Sequence, residues 1–440
     1  MRGKWIAGVL GILIMIVCPT LAFANGFAIN EQGAKALGMG GAFVAQADDP
    51  TAVYFNPAGI TQLSGSQVSL GMSAISPDAK FESSTDDPVF YGTSSGDKTN
   101  LRNHTFFVPN AYFTQQYNDR LSFGLGVFAN WGLRTEWPKS WPGRFIPGGT
   151  DSELKTASIN PVIAFKPWDR VSVGFGAVLQ YFEFELKSKQ FANFNPVTGE
   201  VTELDTKFKG DDWGGGWNVG LLVELPYNFK FGASYRSQVN HTISDGDLKF
   251  SPQVPGVFFN TNLRTSFKTP AIGYLGLAWS WGPLTLEFDT HWTNWSSFSD
   301  LSADFDDLIG GKTSLQVTEN YHDAWAYRFG TQYRVNEYFD VRAGLIYDES
   351  PIPDKALSPR IPSGDRWIYT VGFSGHYKKI DLDFAYNYLD DENRKLGKTA
   401  GEYLSEQLEP ILGPFAPPPL EGKFKDVDAH IFALNITYRF

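Results

Sequence analysis

Apolar and polar side chains alternate strictly along the final segment of the chain. Every second position carries a large apolar side chain: Phe432, Leu434, Ile436, Tyr438 and Phe440. The positions between them carry small or polar side chains: Ala433, Asn435, Thr437 and Arg439. In a β-strand, a period of two turns one set toward lipid and the other toward a lumen. The segment therefore predicts a transmembrane β-barrel strand, because a closed barrel pairs every backbone polar group.

The same alternation recurs from Ser66 to the end of the chain. Asp381 and Asp383 alternate with apolar residues in one segment, and Glu287 and Asp289 do so in another. Because a charge at every second residue cannot face hydrocarbon, one face of these segments must line a lumen. We predict an all-β fold, a transmembrane antiparallel β-barrel of about fourteen strands. The predicted strands are 66–76, 102–117, 119–132, 154–167, 170–186, 213–226, 228–240, 263–281, 283–295, 323–335, 337–348, 366–378, 380–389 and 426–440.

Short and long connections alternate between these strands, as in bacterial barrels. Pairs such as Asn118-Asp119 and Gly282-Pro283 predict short periplasmic turns, and the longer connections are predicted to be outer loops. Aromatic residues near strand ends, such as Trp292 and Trp295, are predicted to form interface girdles. Within the last loop, 391–424, residues 402–412 are predicted to form a short helix. A soluble β-sandwich is the alternative fold, but it would need an apolar core where these strands repeat charges.

The N-terminus has the features of a secretory signal peptide. Arg2 and Lys4 precede the apolar run 6–17, and Ala22-Phe23-Ala24 fits a cleavage site. We predict a signal peptide at 1–24 and a mature chain beginning at Asn25. Cys18 fits a lipoprotein signal poorly, and its removal leaves no cysteine for disulfides or thiolate chemistry. With the aromatic C-terminus, this predicts the outer membrane of a Gram-negative bacterium.

The charge of the mature chain argues against a nucleic-acid partner. Residues 1–24 contain Arg2 and Lys4 and no acidic residue, so cleavage changes the formal net charge from −11 to −13. A nucleic-acid-binding protein would instead show a basic surface.

Residues 25–64 differ in composition from the barrel segments 65–440. They are rich in Gly, Ala and Asn and lack sustained alternation. A barrel of about fourteen strands encloses a lumen too wide for its own side chains to fill. A solvated tail would carry fewer apolar residues than this segment does, and we predict that it forms a small N-terminal plug (hatch) inside the lumen.

Several motifs, taken in order, resemble the FadL family of long-chain fatty acid transporters. The resemblance starts in Asn25-Gly26-Phe27-Ala28-Ile29-Asn30-Glu31, Gly38-Met39-Gly40-Gly41-Ala42 and Asn56-Pro57-Ala58-Gly59-Ile60. It continues in Val108-Pro109-Asn110, Trp213-Gly214-Gly215-Gly216-Trp217-Asn218, Tyr235-Arg236-Ser237, Asp348-Glu349-Ser350-Pro351-Ile352-Pro353 and Arg360-Ile361-Pro362. It spans essentially the whole mature chain.

The resemblance implies a passive route for hydrophobic molecules through the outer membrane. The plug blocks the barrel, ligand is captured among the outer loops, and it then enters a pocket inside the barrel. A kink in the third strand opens the wall, so that ligand leaves sideways into the membrane, past the lipopolysaccharide layer. We expect a monomer in contact with outer-membrane lipid and lipopolysaccharide, with no cofactor and no metal.

Candidate ligand-binding residues follow partly from the resemblance and partly from chemistry. The resemblance makes Phe27 a pocket residue; the alternative is an ordinary plug anchor. Asn56, Pro57 and Ala58 form either a simple turn or a plug element near the ligand path. The aromatic residues Trp131, Trp137, Trp141 and Phe145, in or beside loop 133–153, are either an exposed capture groove or internal loop packing.

Arginines on predicted lumen faces are candidates for reading a fatty acid carboxylate. Arg236 is the one that we include among the ligand-binding residues, with Arg328, Arg342 and Arg439 as further candidates. The alternative is that these arginines pair with Glu287, Asp289, Asp381 or Asp383 in structural ladders.

The third strand carries features of a lateral gate. Gly124 and Gly126 lie on one face of the strand, and the alternation slips at Phe128. Glycine within a strand and a phase slip both mark a bulge or a bend. The resemblance places the lateral gate here, and Gly214, Gly215 and Gly216 could give it room; the alternative is a simple bend of the wall.

The chain also departs from the family pattern. Glu183 and Glu185 stand where basic residues occur in fatty acid transporters, and His322 stands where a lysine can occur. These departures leave open a neutral ligand, such as an aromatic hydrocarbon or an alkane.

Enzymatic and open-pore alternatives have weaker support. The chain lacks the G-x-S-x-G, H-E-x-x-H and Walker motifs, and its six histidines show no metal-binding spacing. A phospholipase would need a paired catalytic site, a diffusion porin would lack the plug, and a structural adhesin is a distant alternative.

Overall fold

The computed structural model describes residues 26–195, 198 and 200–440. The predicted signal peptide and Asn25 lie outside the described residues. In the described chain, no helix is long and apolar enough to cross a membrane.

Fourteen antiparallel strands form a closed barrel, as predicted. They are β1 (Ser66–Ser83), β2 (Phe106–Asn118), β3 (Leu121–Phe128), β4 (Asp151–Trp168), β5 (Val171–Phe194), β6 (Val201–Glu224), β7 (Phe229–Arg236), β8 (Ile272–Trp281), β9 (Leu284–Thr293), β10 (Ala324–Asn336), β11 (Phe339–Asp348), β12 (Arg366–Tyr377), β13 (Ile380–Asp391) and β14 (Gly422–Arg439). Each strand pairs with the next, and β14 pairs with β1 from Gln67↔Arg439 to Ser83↔Gly422. Closure leaves no edge strand in the wall, as a membrane requires.

The predicted alternation decides which side chains face outward. In β14, Phe432, Leu434 and Ile436 are nearly half exposed on the outer face, whereas Asn435 and Thr437 are buried inside. Apolar side chains therefore meet the lipid, and polar side chains fill the interior.

The outer connections contain additional strands rather than irregular loops. These strands are Lys98–Asn100, Gly132–Glu136, Val239–Ser251, Thr261–Thr269, Asp300–Ile309, Lys312–Thr318 and Arg394–Lys395. The predicted strand 263–281 is therefore wrong as a single element, because Thr261–Thr269 pairs with Val239–Ser251 and β8 begins only at Ile272. Pro270 stands at the break, where it has no backbone N–H to offer the sheet.

Short helices occur at both ends of the described chain. They are α1 (Ala34–Gly38) and α2 (Ala52–Phe55) near the N-terminus, and α3 (Lys398–Gly401) and α4 (Tyr403–Leu412) in the last outer loop. The helix predicted at 402–412 is thus confirmed to within one residue. Short 3-10 turns lie at Pro57–Gln62, Pro142–Phe145, Pro226–Asn228, Trp295–Ser297, Asp354–Ala356 and Gly413–Phe415.

Residues 26–64, the N-terminal segment, lie among the inward-facing side chains of the barrel. The Ala34 amide donates to Asn435 Oδ1 of β14 at 2.9 Å. On another side, the Asn56 side chain donates to the Leu221 carbonyl of β6 at 2.9 Å. Gly232 of β7 lets the segment approach the wall, since a Cβ there would lie 2.2 Å from the Val44 carbonyl oxygen.

Two carboxylates of β9 hold the backbone of this segment. Asp289 Oδ2 accepts from the amides of Phe43 and Val44 at 2.8 and 3.1 Å. Glu287 accepts from the amides of Ala45 and Gln46 at 2.7 and 2.9 Å. Of the four acidic residues predicted as partners of the lumen arginines, Glu287 and Asp289 instead accept from consecutive backbone N–H groups.

Candidate ligand-binding site

Phe27 lies at the centre of a buried aromatic cage. Its ring centroid is 4.6 Å from that of Trp295 and 5.4 Å from that of Phe267. Trp131 and Phe298 each lie 5.7 Å away. Most of these pairs meet edge to face, an arrangement that aromatic rings favour.

Backbone hydrogen bonds fix Phe27 against the segment that follows β3. The Gly132 amide donates to the Phe27 carbonyl at 2.7 Å, and the Ile29 amide donates to the Asn130 carbonyl at 3.0 Å. Ala28 forms an antiparallel bridge with Trp131. The start of the described chain is therefore tied to the point where β3 leaves the wall.

A mostly apolar cavity lies beside the cage. Its apolar and aromatic lining consists of Phe27, Leu133, Leu154, Phe184, Leu186, Phe267, Phe298, Leu301, Tyr321 and Ile361. Three charged residues also reach it: Glu153, Glu319 and Arg360. An apolar lining with a few polar groups is typical of sites for hydrophobic ligands.

The charged groups of this cavity already have partners. Arg360 pairs with Glu319 and donates to the Pro147 carbonyl at 3.1 Å. Burial raises the pKa of Glu319, while Arg360 opposes the shift. Glu153 forms ion pairs with Arg134 at 3.0 Å and with Lys155 at 2.8 Å.

The third strand bends inward at the predicted position. β3 pairs with β2 as far as Ala111↔Val127 and with β4 as far as Phe128↔Ser158. The chain then leaves the ladder and rejoins β4 at Gly132↔Lys155. From Phe106 to Asn110, β2 is paired with β1 on one side and is not paired with β3 on the other.

The glycines of β3 face the N-terminal segment. A Cβ at Gly124 would lie 2.8 Å from Val53, and one at Gly126 would lie 2.8 Å from the Phe128 ring. Phe128 is buried, and its ring centroid is 5.2 Å from that of Tyr54. These glycines therefore leave room for the N-terminal segment and for Phe128.

A second interruption separates β6 from the chain that follows β7. The register pairs Asn218 with Arg236, and the next pair is Lys209 with Asp247. The glycine triplet lies in this interrupted stretch of β6, which stays paired with β5 on its other side. A Cβ at Gly214 would lie 2.4 Å from Val239, and one at Gly216 would lie 2.8 Å from Ser237 Oγ.

Gly215 differs from its two neighbours. A Cβ there would meet no atom within 4 Å, so only the glycines on either side of it give room to inner packing.

Arg236 is buried where β7 ends, away from the lining of the Phe27 cavity. Its Nη2 donates to the Tyr54 carbonyl at 3.3 Å and to Asn160 Oδ1 at 3.2 Å. The guanidinium carbon lies 5.1 Å from the Tyr54 ring centroid and 5.2 Å from that of Phe128. The predicted ladder pairs do form for Arg342 with Asp383 and for Arg439 with Asp381.

Comparison with known proteins decides the family. The sequence profile of the family described as "Outer membrane protein transport protein (OMPP1/FadL/TodX)" matches residues 15–440. The chain belongs to this family. It is a transporter-family protein of the outer membrane rather than an enzyme, and the family transports hydrophobic compounds.

Individual relatives agree in length and architecture. The chain is 28% identical to the "Long-chain fatty acid transport protein" of Escherichia coli O6:H1, over 96% of each chain. A Pseudomonas aeruginosa FadL homologue superimposes with a TM-score of 0.79 at 20% identity, covering 94% of this chain and all of that one. The Pseudomonas putida toluene transporter TodX gives 0.68 at 17% identity, covering 94% and 99%.

The Asn56-Pro57-Ala58 turn packs against the wall instead of joining the cage. The Asn56 side chain donates to the Val44 carbonyl at 2.8 Å and accepts from the Ala58 amide at 3.1 Å. Gly220 of β6 leaves space for it, since a Cβ there would lie 2.1 Å from Asn56 Oδ1.

The aromatic residues of loop 133–153 are buried, which agrees with the second of the two interpretations, packing within the loop, rather than with an exposed groove. Trp137 and Trp141 stack at 4.7 Å, and their indole N–H groups donate to the carbonyls of Pro359 and Gly149. Phe145 is buried beneath the Arg144 guanidinium, 4.4 Å from its ring centroid. The aromatic side chains of this long loop pack against its own backbone and its neighbours.

An apolar groove that the sequence did not indicate lies between α4 and the outer strands. Its volume is about 400 Å³. Its apolar lining includes Phe191, Phe208, Leu248, Phe250, Phe258, Phe305, Leu408, Ile411 and Leu412. Ile411 is 73% exposed, so the groove is accessible from outside.

The positions that depart from the family pattern have local partners. His322 is exposed and contacts the Pro351 carbonyl through Nδ1 and through its backbone amide. Glu185 pairs with Lys187 and Lys207 at 2.8 and 2.6 Å. Glu183 accepts from the Tyr181 hydroxyl at 3.1 Å. These residues lie outside the lining of the Phe27 cavity.

Sequence reasoning missed most of the cage. Trp295 was predicted for an interface girdle, but it is fully buried against Phe27. Phe267 fell within the predicted strand 263–281 and Phe298 within an outer connection, and neither was a predicted site residue. The one available signal was the density of aromatic residues just beyond the ends of β8 and β9.

Proposed function

We propose that the protein carries long-chain fatty acids passively across the outer membrane. The observation that carries this proposal is the apolar cavity beside the Phe27 cage, in a chain of the transporter family. In this account the N-terminal segment acts as the plug, and the cavity, with a volume of about 60 Å³, holds part of the acyl chain by apolar contact. The curated relatives named as fatty acid transport proteins support the choice of ligand.

We further propose that capture begins in the groove between α4 and the outer strands. Its exposed apolar side chains offer a fatty acid a first site outside the barrel. Phe145 and Pro147 line this groove, and the Pro147 carbonyl accepts a hydrogen bond from Arg360 of the inner cavity. The groove and the cavity therefore share one loop.

The exit in this proposal is the interruption beside β3. Between β2 and the inward bend, the wall lacks a ladder of backbone hydrogen bonds, so an apolar molecule can cross there without breaking one. Gly124 and Gly126 keep the inner side of this wall free of bulk.

Neutral aromatic compounds are the second candidate ligand. The observation that favours them is charge, because Glu153 and Glu319 reach the cavity and its one guanidinium is already paired with Glu319. A ligand carboxylate placed at that end would meet like charge, whereas a neutral molecule would not.

A competition assay tests this proposal. Purified barrel is loaded with a fluorescent fatty acid, which is then displaced by oleate or by toluene. We expect oleate to displace the probe from the wild type, and Phe27→Leu to weaken oleate binding about tenfold through lost aromatic contacts.

Phe81→Leu is the matched control. Phe81 is an equally buried ring that packs on Trp141 and Phe424, and it does not line the cavity. Equal losses in the two variants, or displacement by toluene alone, would contradict a fatty acid site at Phe27.

A further inference from the structure

Arg236 is a buried cation with no carboxylate partner among the described residues. Its side chain is 3% exposed. Both of its hydrogen bonds use Nη2 and go to neutral oxygens, while Nε and Nη1 have no hydrogen-bond partner in the described chain. Burying an uncompensated charge is far more costly than burying a paired one, so this arrangement calls for an anion.

Two other buried arginines of the lumen each have an acidic side chain that compensates their charge. Arg342 lies 3.4 Å from Asp383, and Arg366 pairs with Asp348. Arg328 donates to the Gly40 carbonyl at 3.0 Å and stands opposite Asp289 in the register of β9 and β10, although the two side chains do not form an ion pair within 4 Å in the described chain. Arg236 faces Asn218 and Ile272 in its register, and neither of them carries a charge.

The position of Arg236 connects both interruptions of the wall. It is the last residue of β7, immediately before the chain leaves β6. Its guanidinium also lies against Phe128, the last residue of β3 before the inward bend. Phe128 covers the cation, and a ligand would reach it when this ring moves aside.

The Phe27 cage lies within reach of the same cation. Trp131 of the cage follows Phe128 by three residues, and three extended residues span at most about 11 Å. Part of a long acyl chain can therefore occupy the apolar cavity, whose volume is about 60 Å³, while the head group lies at Arg236. The charged side chains of the cavity, Glu153, Glu319 and Arg360, are already paired, so none of them is free to bind the carboxylate of the ligand.

We propose that Arg236 binds the carboxylate of the fatty acid as the ligand passes from the Phe27 cavity to the opening beside β3. The guanidinium supplies charge-assisted hydrogen bonds from Nε and Nη1, and the rings of Tyr54 and Phe128 enclose the pair. This inference rests on the proposed function and adds to it the group that recognises the acid.

The test compares oleate with oleyl alcohol, which has the same chain and no charge. Each displaces a fluorescent fatty acid from purified full-length barrel at neutral pH. We expect wild type to prefer oleate about tenfold, as one lost charge-assisted hydrogen-bonded pair implies. Arg236→Met should abolish this preference while leaving the affinity for the alcohol unchanged, and Arg236→Lys should restore part of it.

Arg439→Met is the control for a general loss of positive charge. Arg439 is half exposed at the far end of β14 and pairs with Asp381. The Arg439→Met variant should keep the wild-type preference for oleate over oleyl alcohol. A purely structural role of Arg236 would weaken the acid and the alcohol equally and would overturn the proposal.

The possible failures are distinguishable. If neither ligand displaces the probe from wild type, the proposed function itself is wrong. If both bind and Arg236→Met keeps the preference, only the role of Arg236 is wrong, and water satisfies the guanidinium. If Arg236→Met does not fold, equal binding of acid and alcohol to wild type still overturns the proposal.

Discussion

Glu287 and Asp289 hold the N-terminal segment by its backbone. Each carboxylate accepts from two consecutive amides between Phe43 and Gln46. Amides buried in the lumen need such acceptors, because an unsatisfied N–H group costs about 1–3 kcal/mol. Any side chain can stand at the donor positions, so the sequence of the segment did not reveal this contact.

Removing one of these acceptors should loosen the N-terminal segment. Asp289→Ala leaves the amides of Phe43 and Val44 without their acceptor, at about 1–3 kcal/mol for each group. We expect limited proteolysis to cut the segment at least several-fold faster while the barrel stays intact on heat-modifiability gels.

Asp306→Ala controls for the loss of an acidic side chain. Asp306 forms an exposed pair with Arg264 at 3.1 Å on an outer strand, and such pairs contribute little. Equal proteolysis rates for wild type and Asp289→Ala would show that Asp289 does not secure the segment.

Single residues were predictable where their chemistry is local. The resemblance made Phe27 a pocket residue, and its ring lines an apolar cavity, while its contact with a ligand stays a prediction. The burial of Trp137 and the true site of Trp295 depend on contacts across more than a hundred residues, and periodicity carries no information about these.

At the scale of elements, alternation predicted every barrel strand because the membrane imposes it. Lipid on one side and polar lumen on the other force a period of two. Outside the membrane this constraint ends. The extensions Val239–Ser251 and Thr261–Thr269 form a sheet above the barrel, and their boundaries could not be predicted.

The bend after β3 was visible in the sequence as a phase slip at Phe128. In the structure, the Ala28–Trp131 bridge joins the chain after this bend to the N-terminal segment.

The proposed exit of the ligand beside β3 gives a prediction for Gly126. Gly126→Val places a Cβ 2.8 Å from the Phe128 ring and 3.0 Å from Val53, and such overpacking costs about 1–3 kcal/mol.

We expect Gly126→Val to lower uptake of radiolabelled oleate about tenfold in cells with a folded barrel. Gly215→Val makes the same change in β6, where a Cβ meets no atom within 4 Å, and it should leave uptake unchanged. Normal uptake in a folded Gly126→Val barrel would place the exit elsewhere.

The whole molecule combines a lipid-compatible wall with an N-terminal segment that is hydrogen-bonded to the inner face of that wall. The N-terminal segment bonds to β6, β9 and β14 on different sides of the barrel. The number of strands and the closure of the barrel could be predicted from the sequence, because bacterial barrels have an even number of strands joined by alternating short and long connections. The apolar groove beside α4 could not be predicted, because it forms only when α4 meets outer strands that lie far away in the sequence.

The most direct test of the account is oleate uptake by cells that lack their own fatty acid transporter. Cells producing this protein should take up radiolabelled oleate in a saturable manner, well above cells carrying an empty vector, because the ligand passes through a finite internal site. Uptake equal to that of the empty-vector cells, with folded protein present in the outer membrane, would contradict the account.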